Sequence, residues 1–301
     1  MPRKKLKAIS PFYARLKSQP IEIVLFLCAS FSVVILFLMI LFVAREGALA
    51  FSMFSTDLVF GQVWDAKRDL FGGLPLLYGS LLVTSGALAI SIPLGVLTAI
   101  FIAEVLPFSL KDSVKSIIEL LASIPSVIYG FIGLIFVAPL VASFLGLASG
   151  RCALTASLIL AIMTIPTIVS VAGETIAAVP KDYKEAAFAL GATRWQTIKG
   201  VVLPISKSGI FASIMLGFGR AIGETIAVSM VAGNRPWIPT PPWNFSEAVY
   251  AVPAFIAARM GGAVFGSVGY SALFGLALIL LIITFVVNTL ADAVVKRGVR
   301  L

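Results

Sequence analysis

The sequence predicts an all-α polytopic membrane protein with six transmembrane helices. Of its 301 residues, 59% are apolar and only 12% are charged, a balance typical of membrane proteins that cross the bilayer several times. A helix needs roughly 20 apolar residues to cross the hydrocarbon core, and the chain has six runs of that length. The predicted spans are Ile23–Val43, Gly79–Ala103, Ile117–Ala142, Ala153–Ala178, Ile210–Gly233 and Tyr270–Leu290.

The distribution of basic residues predicts the orientation of these spans. With the N-terminus inside, the inner segments carry sixteen Lys and Arg and the outer segments six, and the remaining one is Arg220. This bias follows the positive-inside rule, so both chain ends are predicted to be cytoplasmic. It also explains the net charge of +9 without a nucleic-acid partner. Arg3, Lys4, Lys5 and Lys7 are instead predicted to contact membrane lipid.

The predicted organisation follows from the spans. Residues 1–20 form a basic cytoplasmic N-terminus, and residues 21–44 form the first transmembrane helix. Residues 45–77 form an extracytoplasmic segment, predicted to be a small folded cap or a loop. The other five spans lie within residues 78–291, and residues 292–301 form the cytoplasmic C-terminus.

Two loops within residues 78–291 carry further signals. Residues 234–269 are an extracytoplasmic loop, in which Ser246–Arg259 is predicted to be a short interfacial helix broken by Pro253. The third and fourth spans are predicted to be interrupted by Pro125 and Pro166, which a helix bundle tolerates where neighbouring groups satisfy the freed backbone.

Residues 180–208 are predicted to form two short cytoplasmic helices that meet at a corner. Pro180 is suited to the start of the first helix, and Gly191 follows where a left-handed C-terminal cap is expected. Thr193-Arg194-Trp195-Gln196 has the T-x-x-Q form of a capping box, which predicts the start of the second helix.

Arg220 is the most informative single residue, because a guanidinium near the bilayer centre costs about 2.5–3.5 kcal/mol on insertion scales. Glu224 follows four residues later, so on a continuous helix the two side chains share a face and can form an ion pair. Either this pair holds the fifth span against a neighbour, or Arg220 lines a path for an anion and Glu224 neutralises it when the path is empty. Ser126, next to Pro125, is a further candidate to line such a path.

One motif resembles a known family. The residues EAA at 185–187, Gly191, and VVLP at 201–204 resemble the EAA loop of bacterial ABC importer permeases, with Val201 in place of the usual isoleucine. The resemblance implies a type I permease core formed by the last five spans. It also implies that Glu185, Ala186, Ala187 and Gly191 belong to a coupling helix that docks on an ATPase subunit.

A narrower resemblance covers almost the whole chain. The segments ASIPSVIYG at 122–130, ALGATRW at 189–195 and GFGRAIGETIAV at 217–228 are similar to phosphate-importer permeases of the PstC type. This resemblance implies that Arg220 and Glu224 are required for transport. It also implies a location in the bacterial inner membrane.

The resemblance further implies a set of partners. These are a second permease subunit of the PstA type, two ATP-binding subunits, an extracytoplasmic phosphate-binding protein, and phosphate itself. The chain has no G-x-x-x-x-G-K-[ST] phosphate loop and no histidine, so we predict a non-catalytic subunit that binds no cofactor or metal, with ATP and magnesium on its partners. The alternatives are a permease for another oxyanion (molybdate, tungstate or sulfate) and an ion-coupled secondary transporter.

Overall fold

The computed structural model describes residues 20–298, with side chains described for residues 21–293. It is predominantly helical and confirms the prediction of six spans. The helices that are long and apolar enough to cross a membrane are Ile21–Phe54, Leu74–Val105, Ser126–Leu145, Ala153–Ala177, Arg194–Ile222 and Val268–Ala293. The basic N-terminus, with the lipid contacts predicted for Arg3, Lys4, Lys5 and Lys7, lies outside the described residues.

The first and last spans are longer than predicted and pack against each other. Helix α1 (Pro20–Phe54) continues ten residues beyond the predicted end at residue 44. Helix α13 (Val268–Gly298) runs through the segment predicted as a separate C-terminus from residue 292. Gly47 allows close packing between them, because a Cβ there would lie 2.8 Å from the Leu278 Cδ2 atom.

Residues 55–73 fold into a small cap at one end of the bundle. The cap contains helix α2 (Asp57–Phe60) and a two-stranded antiparallel hairpin, β1 (Trp64–Asp65) and β2 (Leu70–Phe71). The Trp64 ring packs edge-on against Phe255, with a centroid distance of 5.0 Å. Phe255 lies in helix α12 (Val252–Met260), so the cap is joined to the segment that precedes the last span.

Helix α12 differs from its prediction. It begins at Val252 rather than Ser246, and Pro253 lies in its first turn instead of breaking it. A proline is tolerated there because the first backbone N–H groups of a helix have no intrahelical partner.

Helix α3 (Leu74–Ile100) and helix α7 (Ala153–Ala177) form the centre of the bundle. Small residues let them approach closely: a Cβ on Gly86 would meet Ser157, and one on Gly95 would meet Ile168. Helix α3 continues into a π-helical turn, Phe101–Val105. Pro166 lies inside α7 without interrupting it.

The third span differs most from its predicted bounds of Ile117–Ala142. Residues 108–123 form a separate helix, α4 (Phe108–Ser123). The span itself comprises α5 (Ser126–Ile132), the π-helical turn Gly133–Val137, and α6 (Ala138–Leu145). Ile124 is extended, because a residue before proline disfavours the α conformation.

The remaining helices are two short ones, α8 (Lys181–Ala189) and α9 (Arg194–Thr197), then α10 (Leu203–Ile222) and α11 (Ile226–Val231). A π-helical turn, Ile198–Val202, joins α9 to α10. We call the end of the bundle at residues 178–202 the basic face, and the end at residues 232–267 the opposite face.

The opposite face is fixed by contact between Gly79 of α3 and the backbone of Tyr250. A Cβ on Gly79 would lie 2.5 Å from the Tyr250 carbonyl oxygen. The Tyr250 ring packs edge-on against Phe255 at 5.1 Å. Burial raises the pKa of the Tyr250 phenol, partly offset by the positive charge of Arg259, so this side chain is neutral at physiological pH.

We therefore expect Gly79→Val to destabilise the protein by about 1–3 kcal/mol, the usual cost of overpacking a well-packed contact. The measurement is the temperature at which half of the purified protein is lost from the monodisperse fraction. Gly173→Val is the matched control, because Gly173 is also helical and nothing lies within 4 Å of a Cβ placed there. Equal shifts for both variants would contradict this role of Gly79.

Candidate functional site

Arg220 lies in the last turn of α10, not in the middle of a continuous fifth span. The predicted span Ile210–Gly233 is wrong, because the long helix ends at Ile222 and a second helix begins at Ile226. The Arg220 side chain is half-buried, and its Nη1 atom donates a hydrogen bond to the Thr167 hydroxyl of α7 at 3.0 Å. Thr167 is one residue beyond Pro166, near the middle of the fourth span.

Glu224 occupies the break between α10 and α11, and it has a different partner from the one predicted. Its Oε1 atom accepts hydrogen bonds from the backbone N–H groups of Ile226 and Ala227, both at 3.1 Å. The carboxylate therefore satisfies two amides at the start of α11, where negative charge is favoured. Within the described residues no ion pair joins it to Arg220, so the predicted pairing on one helical face is wrong in this structure.

The guanidinium thus keeps a positive charge beside a neutral hydroxyl. No ion pair to Arg220 occurs in the described part of the chain. Because a guanidinium has five N–H donors and the Thr167 bond uses one, the remaining donors are suited to an oxygen-rich anion.

Arg220 lines an open groove of about 540 Å³, which we call the Arg220 groove. One wall is α10, from Ser208 to Arg220, a separation of twelve residues or about 18 Å of helix. The groove therefore extends from Arg220 toward the basic face. Its lining residues are Thr167, Ser208, Phe211, Ala212, Met215, Leu216, Gly219, Arg220, Asn288 and Asp292.

Ser126 is half-buried at the first turn of α5. Helices α5 and α11 run side by side, because a Cβ on Gly130 would meet Met230 and one on Gly133 would meet Val231. Ser126 precedes Gly130 by one turn, which places it toward the break that holds Glu224. None of the hydrogen bonds of the described residues joins Ser126 to Arg220 or Glu224, so its contribution to the path stays a prediction.

Thr167 and Asn288 are the residues that the sequence analysis missed. The available signal was the presence of polar side chains inside apolar spans, since Asn288 lies within the predicted sixth span and Thr167 within the fourth. That signal is weak, because threonine and asparagine also bond to their own helix or to neighbouring helices in membranes.

Thr167→Val should lower the transport rate about tenfold, because it removes a hydrogen bond that orients a charged group, worth about 1.5–3 kcal/mol. Initial rates of uptake in membrane vesicles measure the effect. Thr164→Val is the matched control: the Thr164 hydroxyl, one turn earlier, donates to the Leu160 and Ala161 carbonyls of its own helix. If both variants transport at the wild-type rate, Thr167 does not position Arg220.

The basic face carries the predicted two-helix corner, and the local structure agrees with the sequence analysis. Helix α8 follows Pro180, and Gly191 adopts the left-handed conformation with φ +84°. Both hydrogen bonds of the Thr193–Gln196 capping box are present, at 2.7 and 3.3 Å.

The residues of the predicted EAA motif lie on this corner. Glu185 and Ala186 are exposed on α8, and Ala187 is half-buried. Several large apolar side chains of the same corner are also exposed: Tyr183, Phe188, Leu190 and Trp195. An exposed apolar patch of this kind is typical of a protein-interaction surface.

The chain is a six-span helical bundle with the Arg220 groove between its spans and an exposed two-helix corner at one end. These features define a multi-pass membrane transport subunit. The chain belongs to the family of binding-protein-dependent transport system inner membrane components, whose model matches residues 91–299.

Curated relatives are similar over most of their length. The chain is 39% identical over 215 residues to the probable ABC transporter permease protein YqgH of Bacillus subtilis, covering 71% of this chain and 69% of that protein. It is 35% identical to the phosphate transport system permease protein PstC of Mesorhizobium japonicum, covering 82% and 80%. It is 33% identical to the probable phosphate transport system permease protein PstC of Methanocaldococcus jannaschii, covering 89% and 91%.

Solved structures share the fold. A chain of a bacterial alginate ABC transporter, in complex with a periplasmic protein, matches with a TM-score of 0.59 at 19% identity, covering 91% of this chain and 95% of that one. A chain of the inward-facing MetNI methionine ABC transporter matches with a TM-score of 0.54 at 18% identity, covering 75% and 94%. The predicted ABC importer permease core is therefore confirmed at the level of the fold.

Proposed function

We propose that this chain is the permease subunit of an ATP-driven importer of inorganic phosphate and forms half of the translocation path. The observation that carries the proposal is the half-buried Arg220 guanidinium, which bonds to the neutral Thr167 and lines a groove toward the basic face. The names of the PstC relatives support phosphate as the cargo.

In the proposed mechanism phosphate binds Arg220 transiently. The planar guanidinium offers two parallel N–H donors to two oxygens of a tetrahedral oxyanion, while Thr167 keeps the plane oriented. Glu224 keeps its carboxylate on the α11 amides, so its negative charge is partly offset and repels the incoming anion less. A single arginine binds weakly, and weak binding permits release.

ATP hydrolysis is assigned to partner subunits that bind ATP and magnesium. Their docking surface is the exposed corner formed by α8 and α9, with Glu185, Ala186, Ala187 and Gly191 as the coupling residues. This assignment makes the basic face cytoplasmic, places both chain ends in the cytoplasm and locates the protein in the bacterial inner membrane. The second permease, of the PstA type, supplies the other half of the path, and a phosphate-binding protein docks at the opposite face.

The test is reconstitution of the complex in proteoliposomes with its candidate partners. Binding proteins loaded with phosphate, sulfate or molybdate are added in turn, and ATP hydrolysis and solute uptake are measured. We expect only the phosphate-loaded protein to stimulate both. Stimulation by a sulfate- or molybdate-loaded protein alone would change the cargo, and uptake driven by an ion gradient without ATP would overturn the proposed class.

A further inference from the structure

A mostly buried ion pair connects α8 to the end of the second span. The Nζ atom of Lys184 lies 2.5 Å from Oε1 of Glu104, and these side chains are 18% and 12% exposed. Lys184 immediately precedes Glu185 in α8, and Glu104 lies in the π-helical turn Phe101–Val105 that ends the second span. The pair thus joins two elements that are 80 residues apart.

This pair differs from the other ion pairs of the described residues. Arg68–Asp65, Lys115–Glu119 and Lys115–Glu174 all have side chains that are 35–79% exposed. Exposed ion pairs are screened by solvent and constrain the positions of their side chains only weakly. In a buried pair, by contrast, loss of one partner leaves an uncompensated charge, which is strongly destabilising. We therefore expect the Lys184–Glu104 pair to keep α8 at a fixed distance from the end of the second span.

The surface of α8 is largely exposed. None of its residues is fully buried, and its aromatic side chains, Tyr183 and Phe188, are about half exposed. Glu104, by contrast, is on a well-supported turn, because Lys111 of α4 donates to the adjacent Ala103 carbonyl. The ion pair is a direct side-chain contact between α8 and the end of the second span.

From the second span a packed contact leads to Arg220. Ile168 is fully buried between α3 and α10: a Cβ on Gly95 would lie 2.8 Å from its Cγ2 atom, and one on Gly217 would lie 2.9 Å from its Cγ1 atom. Ile168 directly follows Thr167, the hydrogen-bond partner of Arg220. Because the Ile168 side chain packs tightly against both glycines, we expect a shift of α3 to move Ile168 and with it Thr167.

We propose that Lys184 and Glu104 are positioning residues that transmit movement of α8 to the second span and, through Ile168, to the Thr167–Arg220 contact. This inference rests on the proposed function, since it assumes that α8 is moved by an ATPase subunit. The two residues touch neither ATP nor the transported anion. Their role is to make nucleotide-driven movement and exposure of Arg220 interdependent.

The test uses the reconstituted complex with Lys184→Gln, Glu104→Gln and the charge-swapped pair Lys184→Glu with Glu104→Lys. Each single variant should retain basal ATP hydrolysis. The stimulation of ATP hydrolysis by phosphate-loaded binding protein should fall at least tenfold. The swapped pair should recover stimulation to within about threefold of wild type. Lys115→Gln is the matched control, because Lys115 of α4 forms only exposed ion pairs and lies outside the proposed docking surface, and it should behave as wild type.

The ratio of stimulated to basal ATP hydrolysis separates this positioning role from a merely structural one. A structural role lowers the amount of complex and both rates in proportion, so the ratio stays at the wild-type value and the proposal is overturned. If the single variants fail to assemble, the swapped pair decides, because it retains an ion pair of opposite polarity. A swapped pair that couples no better than the single variants also overturns the proposal.

A distance measurement distinguishes failure of this inference from failure of the proposed function. If loaded binding protein does not stimulate the wild-type complex, the proposed function fails, but the mechanical link is still testable without cargo. Spin labels at Phe101→Cys and Lys181→Cys should give one narrow distance that is the same with and without ATP, and Glu104→Gln should broaden it. A wild-type distance that changes with ATP would overturn the link.

Discussion

Arg220→Gln should reduce phosphate uptake by about a hundredfold or more while leaving the complex assembled. The variant keeps a polar but shorter side chain and removes the one positive charge among the described lining residues of the Arg220 groove. Charge-assisted hydrogen bonds contribute about 1.5–3 kcal/mol each, and two are lost when a bidentate contact is removed. Each 1.4 kcal/mol is a factor of ten, so even one of these bonds accounts for more than a tenfold loss. Uptake of radiolabelled phosphate in proteoliposomes measures the effect.

Two further variants make this result specific. Arg220→Lys keeps the charge but not the planar fork, so we expect intermediate uptake. Arg151→Gln removes an exposed arginine outside the spans and should leave uptake unchanged. Normal uptake by Arg220→Gln in an assembled complex would show that the arginine is not part of the path.

Gly191→Val should reduce ATP-dependent uptake at least tenfold, the second-largest effect that we expect. Gly191 has φ +84°, a conformation that a β-branched residue adopts only with strain. Nothing lies within 4 Å of a Cβ placed there, so the cost is conformational and not steric. The chain relieves it by changing the corner between α8 and α9, which misplaces the docking surface proposed for the ATPase. Uptake and co-purification of the ATP-binding subunits both measure it.

Gly200→Val is the matched control for this variant. Gly200 lies in the same segment, in the π-helical turn Ile198–Val202, and a Cβ there also meets nothing within 4 Å. The two positions differ in backbone conformation, since Gly200 is helical. Equal loss of uptake in both variants would mean that added bulk, rather than the left-handed corner, is responsible.

The corner on the basic face was the part of the structure most fully predictable from sequence. Its helix ends are set by local chemistry: Pro180 at the start of α8, the left-handed Gly191, and the Thr193–Gln196 capping box. Such signals act within four or five residues and depend little on the rest of the fold.

The break at residues 223–225 could not be predicted in this way. The sequence GETIA occurs twice, at 173–177 and at 223–227. The first copy lies within helix α7, whereas the second begins directly after α10 ends and includes the first two residues of α11. The second copy is stabilised by tertiary packing, with Gly130 of the third span against Ala227. Because the same five residues adopt different structures, tertiary contacts rather than local sequence determine where the helix breaks. The Arg220–Glu224 pair, which was inferred from the spacing of a continuous helix, is wrong for this reason.

The third span was mispredicted for a related reason. Apolar residues continue from Ile117 to Ala142, and hydropathy alone does not separate a surface helix from the start of a span. The sequence alone does not show whether a proline is tolerated inside a continuous helix or ends one. Pro166 lies inside α7, whereas α4 ends just before Pro125.

The central claim, that Arg220 faces an aqueous path for an oxyanion, is tested most directly by the reactivity of a cysteine at that position. The native Cys28 and Cys152 are first replaced by alanine, Arg220→Cys is introduced, and the assembled complex is treated with a membrane-impermeant anionic thiol reagent. We expect the cysteine to react from the aqueous phase. Reaction only with a membrane-soluble maleimide, or with neither reagent, would place residue 220 in lipid or in a dry helix contact and contradict the account.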